Sequence, residues 1–294
     1  MSSNETDKHT VGDILHRGAI TVSSVSSSAR LDSELLLASV MGVSRTVLLV
    51  NSDREISPEN IEKFRVLIER RKQGEPAAYI LGCREFWGLD FQVNRSVLVP
   101  RPDSELIVEE ALKFVGDSTS LKFVDLGVGS GCLSIALVSE LVKKSCDVRC
   151  VGVDISDAAL TVAQMNAKKL GVSERISYVL GSWFDRRDQF NPPYDLIVAN
   201  PPYVDRAEKV PVDLSYEPAG ALFAEEHGLR EARIIIEQSV QMLRPGGALL
   251  LEVGAGKRAR LPSFLAPFEQ SFETSYLGDD TPLDRFTVLR MIRR

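Results

Sequence analysis

The segment Asn200-Pro201-Pro202-Tyr203 combines the groups needed to hold a planar amino group. The Asn200 side-chain oxygen and the Pro201 carbonyl are two acceptors, which together can take both hydrogens of an NH2 group. Such a nitrogen keeps its lone pair in conjugation, so an enzyme that methylates it must orient it and stabilise a positively charged tetrahedral transition state. The prolines stiffen the turn, and Tyr203 offers a flat face. The segment therefore predicts amino-group methylation, and the alternative is a rigid turn without a ligand.

A glycine-rich turn predicts a cofactor site. The apolar run that ends at Leu126 continues into Gly127-Val128-Gly129-Ser130-Gly131, followed by apolar residues at helical spacing. Backbone can approach a ligand closely at such glycines, and open α/β sheets bind ligands beyond the carboxyl ends of their strands. A dinucleotide fingerprint would need glycine at position 132, where this chain has Cys132. A nicotinamide or flavin cofactor is therefore disfavoured, and a tight turn without a ligand remains the alternative.

Asp154 ends the next apolar run, Val151-Gly152-Val153. A carboxylate at this position can accept hydrogen bonds from both hydroxyls of a ribose. An adenosyl cofactor would use it in that way. The alternative is that Asp154 belongs only to the start of the following helix.

The elements that position these residues alternate between strand and helix. Apolar runs separated by helical patterns, which include Ser156–Gly171 and Gly228–Leu243, are typical of a mainly parallel sheet covered on both faces. Two later runs, Phe272–Leu277 and Phe286–Ile292, predict an antiparallel edge. The fold class is thus α/β, Rossmann-like. The five strands predicted for its parallel part are Lys122–Leu126, Val148–Asp154, Ile176–Leu180, Asp195–Ala199 and Ala248–Val253.

The first hundred residues have a different pattern. Helices are predicted over Ala29–Gly42 and Ser57–Gly74, the second with Ser57 as N-cap and Pro58 at the first helical position. Short β-branched and aromatic runs follow, and they predict a β-hairpin linker. These runs are Tyr79–Leu81, Glu85–Leu89, Phe91–Val93 and Val97–Val99. The predicted division is a frayed tail 1–10, a helical domain 11–74, a linker 75–100 and a catalytic domain 101–294.

Composition narrows the partners. The formal net charge is −6, and neither residues 1–100 nor residues 101–294 have a surplus of basic side chains. A long nucleic acid is therefore disfavoured as a stable partner. Four cysteines and three histidines, irregularly spaced, predict neither disulfides nor a metal site. No apolar run is long enough for a membrane helix, and the polar start lacks the plan of a signal peptide. A cytoplasmic monomer is expected.

Together, these motifs resemble a class I S-adenosylmethionine-dependent methyltransferase, and further segments narrow the resemblance. The chain is similar, over roughly residues 11–292, to the PrmC/HemK family of bacterial peptide-chain release factor glutamine methyltransferases. The segments that carry this similarity are Leu31–Leu37, Gly74–Gly82, Arg84–Leu89, Leu98–Glu105, Tyr216–Pro218, and Gly278-Asp279 followed by Arg285-Phe286.

The resemblance implies methyl transfer from S-adenosylmethionine, with S-adenosylhomocysteine as product, to the glutamine amide of the Gly-Gly-Gln motif in class I release factors. It implies that the glycine turn and Asn200 bind the cofactor, that Asp154 binds its ribose and that Trp183 lies against its adenine. Asn200–Tyr203 would hold the glutamine as the catalytic residues. Pro100, Arg101 and Pro102 would form a wall of the site or only a junction turn, and the helical domain would contact the release factor.

Two departures from the family pattern concern cofactor binding. Val128 replaces the usual threonine between the glycines, and Ser182 stands where an acidic residue often precedes Trp183.

Segment Val204–Phe223 is either a cover over the substrate or a surface excursion. Other functions remain open: an amino-group methyltransferase acting on another protein or on nucleic-acid adenine, and an inactive partner-binding protein.

Overall fold

The computed structural model describes residues 9–254, 256–278 and 286–294, with only the backbone of Phe286. The chain divides into two compact units. The first combines the N-terminal residues through Cys83 with Lys209–Tyr216, and the second combines Arg84–Glu208 with Glu217–Arg294. These limits differ from the predicted domain boundaries at residues 74 and 100. Those boundaries stay a prediction. Of the predicted tail, residues 1–8 lie outside the described residues, whereas Thr10 pairs with Glu55 and caps the first helix.

Among the described residues, the first unit contains five α-helices and the 3-10 helix 212–216. Ser57 accepts a hydrogen bond from the Asn60 backbone N–H at 3.3 Å, which confirms it as the N-cap of the fourth helix. Gly42, in the left-handed conformation, ends the second helix. The helices are α1 (Val11–Val22), α2 (Ala29–Met41), α3 (Arg45–Val50), α4 (Pro58–Lys72) and α5 (Ala77–Leu81).

Polar residues of α2 are buried in the first unit and paired there. The Arg71 guanidinium donates to the Asp32 carboxylate at 2.6 Å, and the Arg71 side chain is only 4% exposed. Ser33 donates to the Leu15 carbonyl at 2.9 Å. Glu34 accepts hydrogen bonds from Arg30 and Arg45, each at 2.7 Å. Because buried charges are tolerated only when paired, these contacts explain how three consecutive polar side chains of α2 are buried.

The predicted linker is only partly a hairpin. Strands β1 (Cys83–Phe86) and β2 (Leu89–Gln92) form a two-stranded sheet, and Trp87 and Gly88 between them both have positive φ, as a type I′ turn requires. The prediction of strands at Tyr79–Leu81 and Val97–Val99 is wrong. The first run lies in α5, where the Tyr79 and Ile80 N–H groups bond the Pro76 carbonyl. In the second, the Val99 N–H bonds the Glu217 carboxylate instead of another strand.

The second unit contains a seven-stranded sheet in the order β10-β11-β9-β6-β3-β4-β5. The five strands from β9 to β5 are parallel, and β11 and β10 add an antiparallel edge, which confirms the predicted fold class. The strands are β3 (Ser120–Leu126), β4 (Asp147–Asp154), β5 (Ile176–Leu180), β6 (Tyr194–Ala199), β9 (Leu243–Gly254), β10 (Phe272–Gly278) and β11 (Phe286–Arg293). A short parallel pair joins β7 (Val204–Asp205) to β8 (Phe223–Ala224).

Apolar layers cover both faces of this sheet. Alternate residues of a strand point to opposite faces, so Phe123 of β3 packs in one buried cluster and Val124 in the other. Because β3 pairs in parallel with both β4 and β6, the carboxyl ends of these three strands lie side by side at the same end of the sheet. The predicted motifs begin there. The helices are α6 (Glu105–Val115), α7 (Cys132–Lys143), α8 (Asp157–Lys169), α9 (Ala219–Leu222), α10 (Arg230–Met242) and α11 (Leu261–Leu265).

No helix among the described residues is both long and apolar enough to cross a membrane.

Candidate active site

A cavity of about 380 Å³ opens at the carboxyl edge of the parallel strands, within the second unit. Small-molecule sites of α/β sheets occur at this edge. Ten of the fourteen residues predicted to form the site contribute to its wall: Pro100, Arg101, Gly127, Val128, Gly129, Ser130, Asp154, Trp183, Asn200 and Pro202. Pro102, Gly131, Pro201 and Tyr203 are not part of the lining.

The glycine turn lines the cavity in backbone conformations that residues other than glycine rarely adopt. Gly127 and Gly129 have φ of +75° and +52°, in the left-handed region that glycine enters without steric cost. The Gly129 N–H donates to Asp154 at 2.9 Å, which ties the turn to the next strand. Gly131 has a different role: a side chain there would meet Ile135 at 2.7 Å, so this glycine allows close packing at the start of α7.

Asp154 ends β4 and faces the cavity. Its two carboxylate oxygens accept from the backbone N–H groups of Gly129 and Ser156, each at 2.9 Å. Burial raises the pKa of Asp154 above its ordinary value, and these backbone hydrogen bonds oppose the rise. Each carboxylate oxygen has a further lone pair. The side chain is thus oriented and still able to accept hydrogen bonds from a ligand.

Trp183 presents its indole ring beside the glycine turn. Its backbone has a φ of +51°, and its Nε1–H donates to Glu231 at 2.8 Å. A side chain on Gly127 would lie 3.5 Å from the indole ring, so glycine leaves room between the turn and the ring. Ser182 also lines the cavity. The ring is therefore held as one flat wall of the cavity.

Asn200 follows β6 directly and has its amide fixed in one orientation. Its Nδ2 donates to the Ser104 hydroxyl at 2.8 Å. The hydroxyl in turn donates to the Glu252 carboxylate at 2.6 Å. The Asn200 Oδ1 atom is buried and has no hydrogen-bond partner among the described residues. A buried acceptor without a partner is costly unless a ligand supplies the donor.

Glu252 lies behind this pair near the end of β9. It is 1% exposed, and burial raises its pKa from 4.5 to about 7, whereas the hydrogen bond from Ser104 opposes that rise. The repulsion from Asp103 raises the pKa further, and the Tyr203 hydrogen bond and Arg101 lower it. A carboxylate is therefore buried beneath the predicted amino-group site.

Tyr203 faces this carboxylate rather than the cavity. Burial raises the pKa of the phenol, and the nearby Glu252 raises it further. A side chain on Gly254 would approach the Tyr203 ring to 2.2 Å, so the ring packs directly on the backbone of β9. Pro201 is buried and Pro202 half-buried. The predicted contact of the Tyr203 face with a ligand is not tested by this arrangement and stays a prediction.

Glu217 holds the wall formed by Pro100 and Arg101. It accepts from the Val99 backbone N–H at 2.9 Å and from the Arg101 guanidinium at 2.5 Å. The Glu217 side chain is 2% exposed, whereas that of Arg101 is 31% exposed. Pro102 lies outside the lining and begins the short 3-10 helix 102–104 that ends at Ser104. Arg101 is thus oriented by a buried partner.

Sequence reasoning missed several residues that shape the site. Ser104, Glu217, Glu231 and Glu252 orient Asn200, Arg101 and Trp183. Asp125 caps the start of α7 by accepting from the Ser134 N–H at 3.1 Å, and burial raises its pKa to about 6. Asp125 and Glu252 gave a signal as single charges within otherwise apolar runs, and Ser104 and Glu217 lie in segments that carry the family resemblance, but no role was assigned to them.

Segment Val204–Phe223 contains the 3-10 helix 212–216 and α9 between its paired ends β7 and β8. Within the first unit, Asp213 lies 3.6 Å from the Arg71 guanidinium, and the Tyr216 hydroxyl donates to the Gln73 carbonyl at 3.0 Å. In the part of the chain that the structure describes, there is no cluster of three His, Cys, Asp or Glu side chains that could hold a metal ion.

Two family models match this chain. One, described as the PrmC N-terminal domain, matches residues 13–82, and the other, described as a methyltransferase domain, matches residues 117–273. A protein from Geobacter sulfurreducens named release factor glutamine methyltransferase is 41% identical over 233 residues, covering 78% of each chain. A protein of the same name from Buchnera aphidicola is 34% identical over 276 residues, covering 93% of this chain and 96% of its own.

Among solved structures, the N-terminal domain of human METTL16 is similar with a TM-score of 0.54 and 20% sequence identity. The alignment covers 74% of this chain and 81% of that one. At this identity the similarity supports the fold alone.

Proposed function

This chain belongs to the family of release factor glutamine methyltransferases, and we propose that it methylates the glutamine of the Gly-Gly-Gln motif in class I peptide-chain release factors. The methyl donor is S-adenosylmethionine. The proposal assigns Asn200, Pro201, Pro202 and Tyr203 to the glutamine, and the glycine turn, Asp154, Trp183 and Asn200 to the cofactor.

The residues around the cavity fit this cofactor. The volume of about 380 Å³ lies in the range typical of small-molecule sites. Gly127 and Gly129 bring backbone to its surface without side chains, and Asp154 has lone pairs to accept from ribose hydroxyls. The Trp183 ring offers a flat apolar surface for adenine. When bound, S-adenosylmethionine supplies an electrophilic methyl group on a sulfonium.

One observation carries the assignment of the acceptor: Asn200 lines the cavity, its Oδ1 atom is buried without a partner among the described residues, and its nitrogen is held by Ser104. An oxygen that only accepts hydrogen bonds suits the N–H of an amide substrate. A carboxylate substrate could not pair with this oxygen, because a carboxylate has no hydrogen to donate.

We assign the following roles during the reaction. Asn200 Oδ1 accepts one hydrogen of the glutamine NH2, and the Pro201 carbonyl accepts the other, so that the nitrogen lone pair turns toward the methyl group. As the N–C bond forms and the C–S bond breaks, positive charge develops on the nitrogen, and the two oxygens stabilise it. The methylated nitrogen is acidic at that point and loses a proton to water, so no general base is required.

The release factor is a protein much larger than the cavity, so a second contact surface is expected. We propose that the first unit, which contains the residues matched by the PrmC N-terminal domain model, contacts the body of the release factor. The neutral-to-acidic charge balance supports a protein partner rather than nucleic acid. A substrate that acts in translation supports a cytoplasmic location, and a monomer stays a prediction.

Incubation of the purified protein with isotopically labelled S-adenosylmethionine and an unmethylated class I release factor tests this function. Peptide mass spectrometry should find one added methyl group on the glutamine of the Gly-Gly-Gln segment. A release factor with glutamate at that position is the matched control and should gain none, since it lacks the NH2 group.

Each contrary result has a distinct meaning. A methyl group elsewhere on the release factor would refute the assigned glutamine. Cofactor binding without any methylation of the release factor would direct the search to other NH2 acceptors, including nucleic-acid adenine. Failure to bind the cofactor would favour a partner-binding protein without catalysis.

A further inference from the structure

A continuous row of hydrogen bonds runs beneath the Asn200-Pro201-Pro202-Tyr203 segment. Glu252 accepts from the Ser104 hydroxyl at 2.6 Å, and Ser104 accepts from the Asn200 Nδ2 at 2.8 Å. Tyr203 also lies close enough to Glu252 to lower the pKa of its carboxyl. The Asn200 amide thus depends, through Ser104, on one carboxylate that does not line the cavity.

The sheet register explains why these groups meet. Ala199 of β6 pairs with Leu251 of β9, so Asn200 and Glu252 are the next residues along two adjacent strands. Glu252 shares a strand face with Leu250, whose cluster contains Ile107 and Val108 of α6. Ser104 directly precedes α6 and therefore fits between them. Ser104 is 2% exposed, so bulk solvent has little access to its hydroxyl.

The chemistry of the carboxylate gives this row a direction. An ionised Glu252 has no hydrogen to donate, so the single hydrogen of the Ser104 hydroxyl must point at it. Only a lone pair of the Ser104 oxygen then faces Asn200, and it can pair only with the amide nitrogen. The amide oxygen is left without a partner among the described residues, on a residue that lines the cavity.

We propose that Ser104 and Glu252 are positioning residues that keep the acceptor oxygen of Asn200 turned toward the substrate amide. The inference rests on the proposed function, because it assigns these residues to the same amino-group site. Neither residue touches the methyl group in this account. They act through Asn200, whose amide oxygen and NH2 group are similar in shape. The oxygen accepts hydrogen bonds, whereas the NH2 group donates them.

The direction of the row can be reversed. A Glu252 that carries a proton can donate to Ser104, whose hydrogen is then free to point at Asn200 and hold the amide oxygen. The amide would then present its NH2 to the substrate NH2, and two donors cannot pair. The groups that face Glu252 are Asp103, Arg101, Tyr203 and the Cys132 thiol. Burial has the largest influence on its pKa, which it raises to about 7.

Three variants of the full chain test the proposal with the release factor as substrate and saturating S-adenosylmethionine. Ser104→Ala removes the link, and we expect kcat to fall about tenfold or more, as for loss of an orienting hydrogen bond. Ser104→Thr retains the hydroxyl and should recover most of the activity. Glu252→Gln retains the shape but can donate or accept, so it should lower kcat about fivefold or more.

A pH profile separates positioning from a merely structural role. In the wild-type protein, kcat should fall on the acid side with an apparent pKa near 7, as Glu252 gains a proton. Glu252→Gln cannot titrate and should lack this acid limb. Its affinity for S-adenosylmethionine, measured by calorimetry, should stay within about twofold of wild type. Glu109→Gln, an exposed carboxylate on α6, is the matched control and should change neither quantity.

The outcomes distinguish the inference from the function beneath it. A wild-type protein that transfers no methyl group to the glutamine would refute the proposed function. Wild-type kcat in both Ser104→Ala and Glu252→Gln, or an unchanged acid limb in Glu252→Gln, would refute the inference alone. If Glu252→Gln does not fold, the comparison of Ser104→Ala with Ser104→Thr decides: equal activity of these two overturns the proposal.

Discussion

At the scale of single residues, Trp183 illustrates how the site is held before any ligand arrives. A φ of +51° is rare for a large side chain and costs conformational energy. The hydrogen bond from its indole N–H to Glu231 and the space left by Gly127 compensate for this strain. The ring is therefore preorganised, so that adenine can bind without reordering this side chain.

Ser182 offers a test of the adenine assignment. Ser182→Asp would place a carboxylate beside Trp183, where it can accept a hydrogen bond from the adenine amino group. We expect the dissociation constant for S-adenosylmethionine to fall several-fold, with kcat changed by less than about twofold. Titration calorimetry measures the first and initial rates the second. Ser182→Ala is the control, and an unchanged dissociation constant in Ser182→Asp would remove this residue from the adenine pocket.

The sequence was sufficient for residues that belong to a local motif. Asn200, Asp154 and the glycine turn were predicted because each follows an apolar run that reads as a strand. Ser104 and Glu252 were not, because their hydrogen bond joins residues 148 positions apart. Such a pairing depends on strand register, which local sequence does not specify.

At the scale of elements, apolar runs predicted the strands well because both faces of the parallel sheet are buried. The same criterion failed at Tyr79–Leu81, since a short apolar run cannot distinguish a strand from a helix segment. Gly82, in a left-handed conformation, ends that helix and could equally have marked a turn between strands. Flanking residues therefore decide less than tertiary packing at this position.

Glu217 links two elements that form the wall of the cavity. Glu217→Ala removes the carboxylate that accepts hydrogen bonds from the Arg101 guanidinium and the Val99 N–H. Arg101 and Val99 both lie beside the cavity. We expect kcat/KM for the release factor to fall about tenfold because the wall loses its fixed position. Glu217→Gln retains an acceptor and should lose less. Steady-state rates at saturating cofactor measure both, and a wild-type value in Glu217→Ala would exclude this role.

Arg71 tests what holds the helical unit together. Arg71→Ala leaves Asp32 buried with its main cationic partner removed, and we expect the free energy of unfolding to fall by about 3 kcal/mol. Arg65→Ala removes an exposed arginine of the same helix and should lower the free energy of unfolding much less. Urea denaturation of the full chain compares them. Equal stability of the two variants would show that the buried pair contributes nothing.

At the scale of the whole molecule, chemistry and partner recognition are proposed for different units. Every residue that lines the cavity belongs to the second unit. The first unit contributes none of them, but two of its exposed apolar side chains, Val47 and Val50, lie three positions apart on α3 with exposures of 46% and 78%. Residues at this spacing share one face of a helix, which makes this face a candidate contact for the release factor.

Replacing Val47 and Val50 together by serine tests this division of labour. We expect KM for the intact release factor to rise about tenfold, because apolar contact area is lost. The rate on a short Gly-Gly-Gln peptide should not change, since the peptide needs only the cavity. Val142→Ser, at an exposed apolar position of the second unit, is the matched control. An unchanged KM for the release factor would place its contact elsewhere.

Methyl transfer by Asn200→Ala tests the proposed role of the Asn200 amide most directly. Without the Asn200 amide, the glutamine NH2 loses one acceptor and its orientation, so the rate at saturating cofactor and release factor should fall about a hundredfold or more. Affinity for S-adenosylmethionine, measured by calorimetry on the same preparation, should fall far less than the rate, because the glycine turn, Asp154 and Trp183 are the other residues proposed to bind the cofactor. Near wild-type turnover by a correctly folded Asn200→Ala protein would contradict the mechanism.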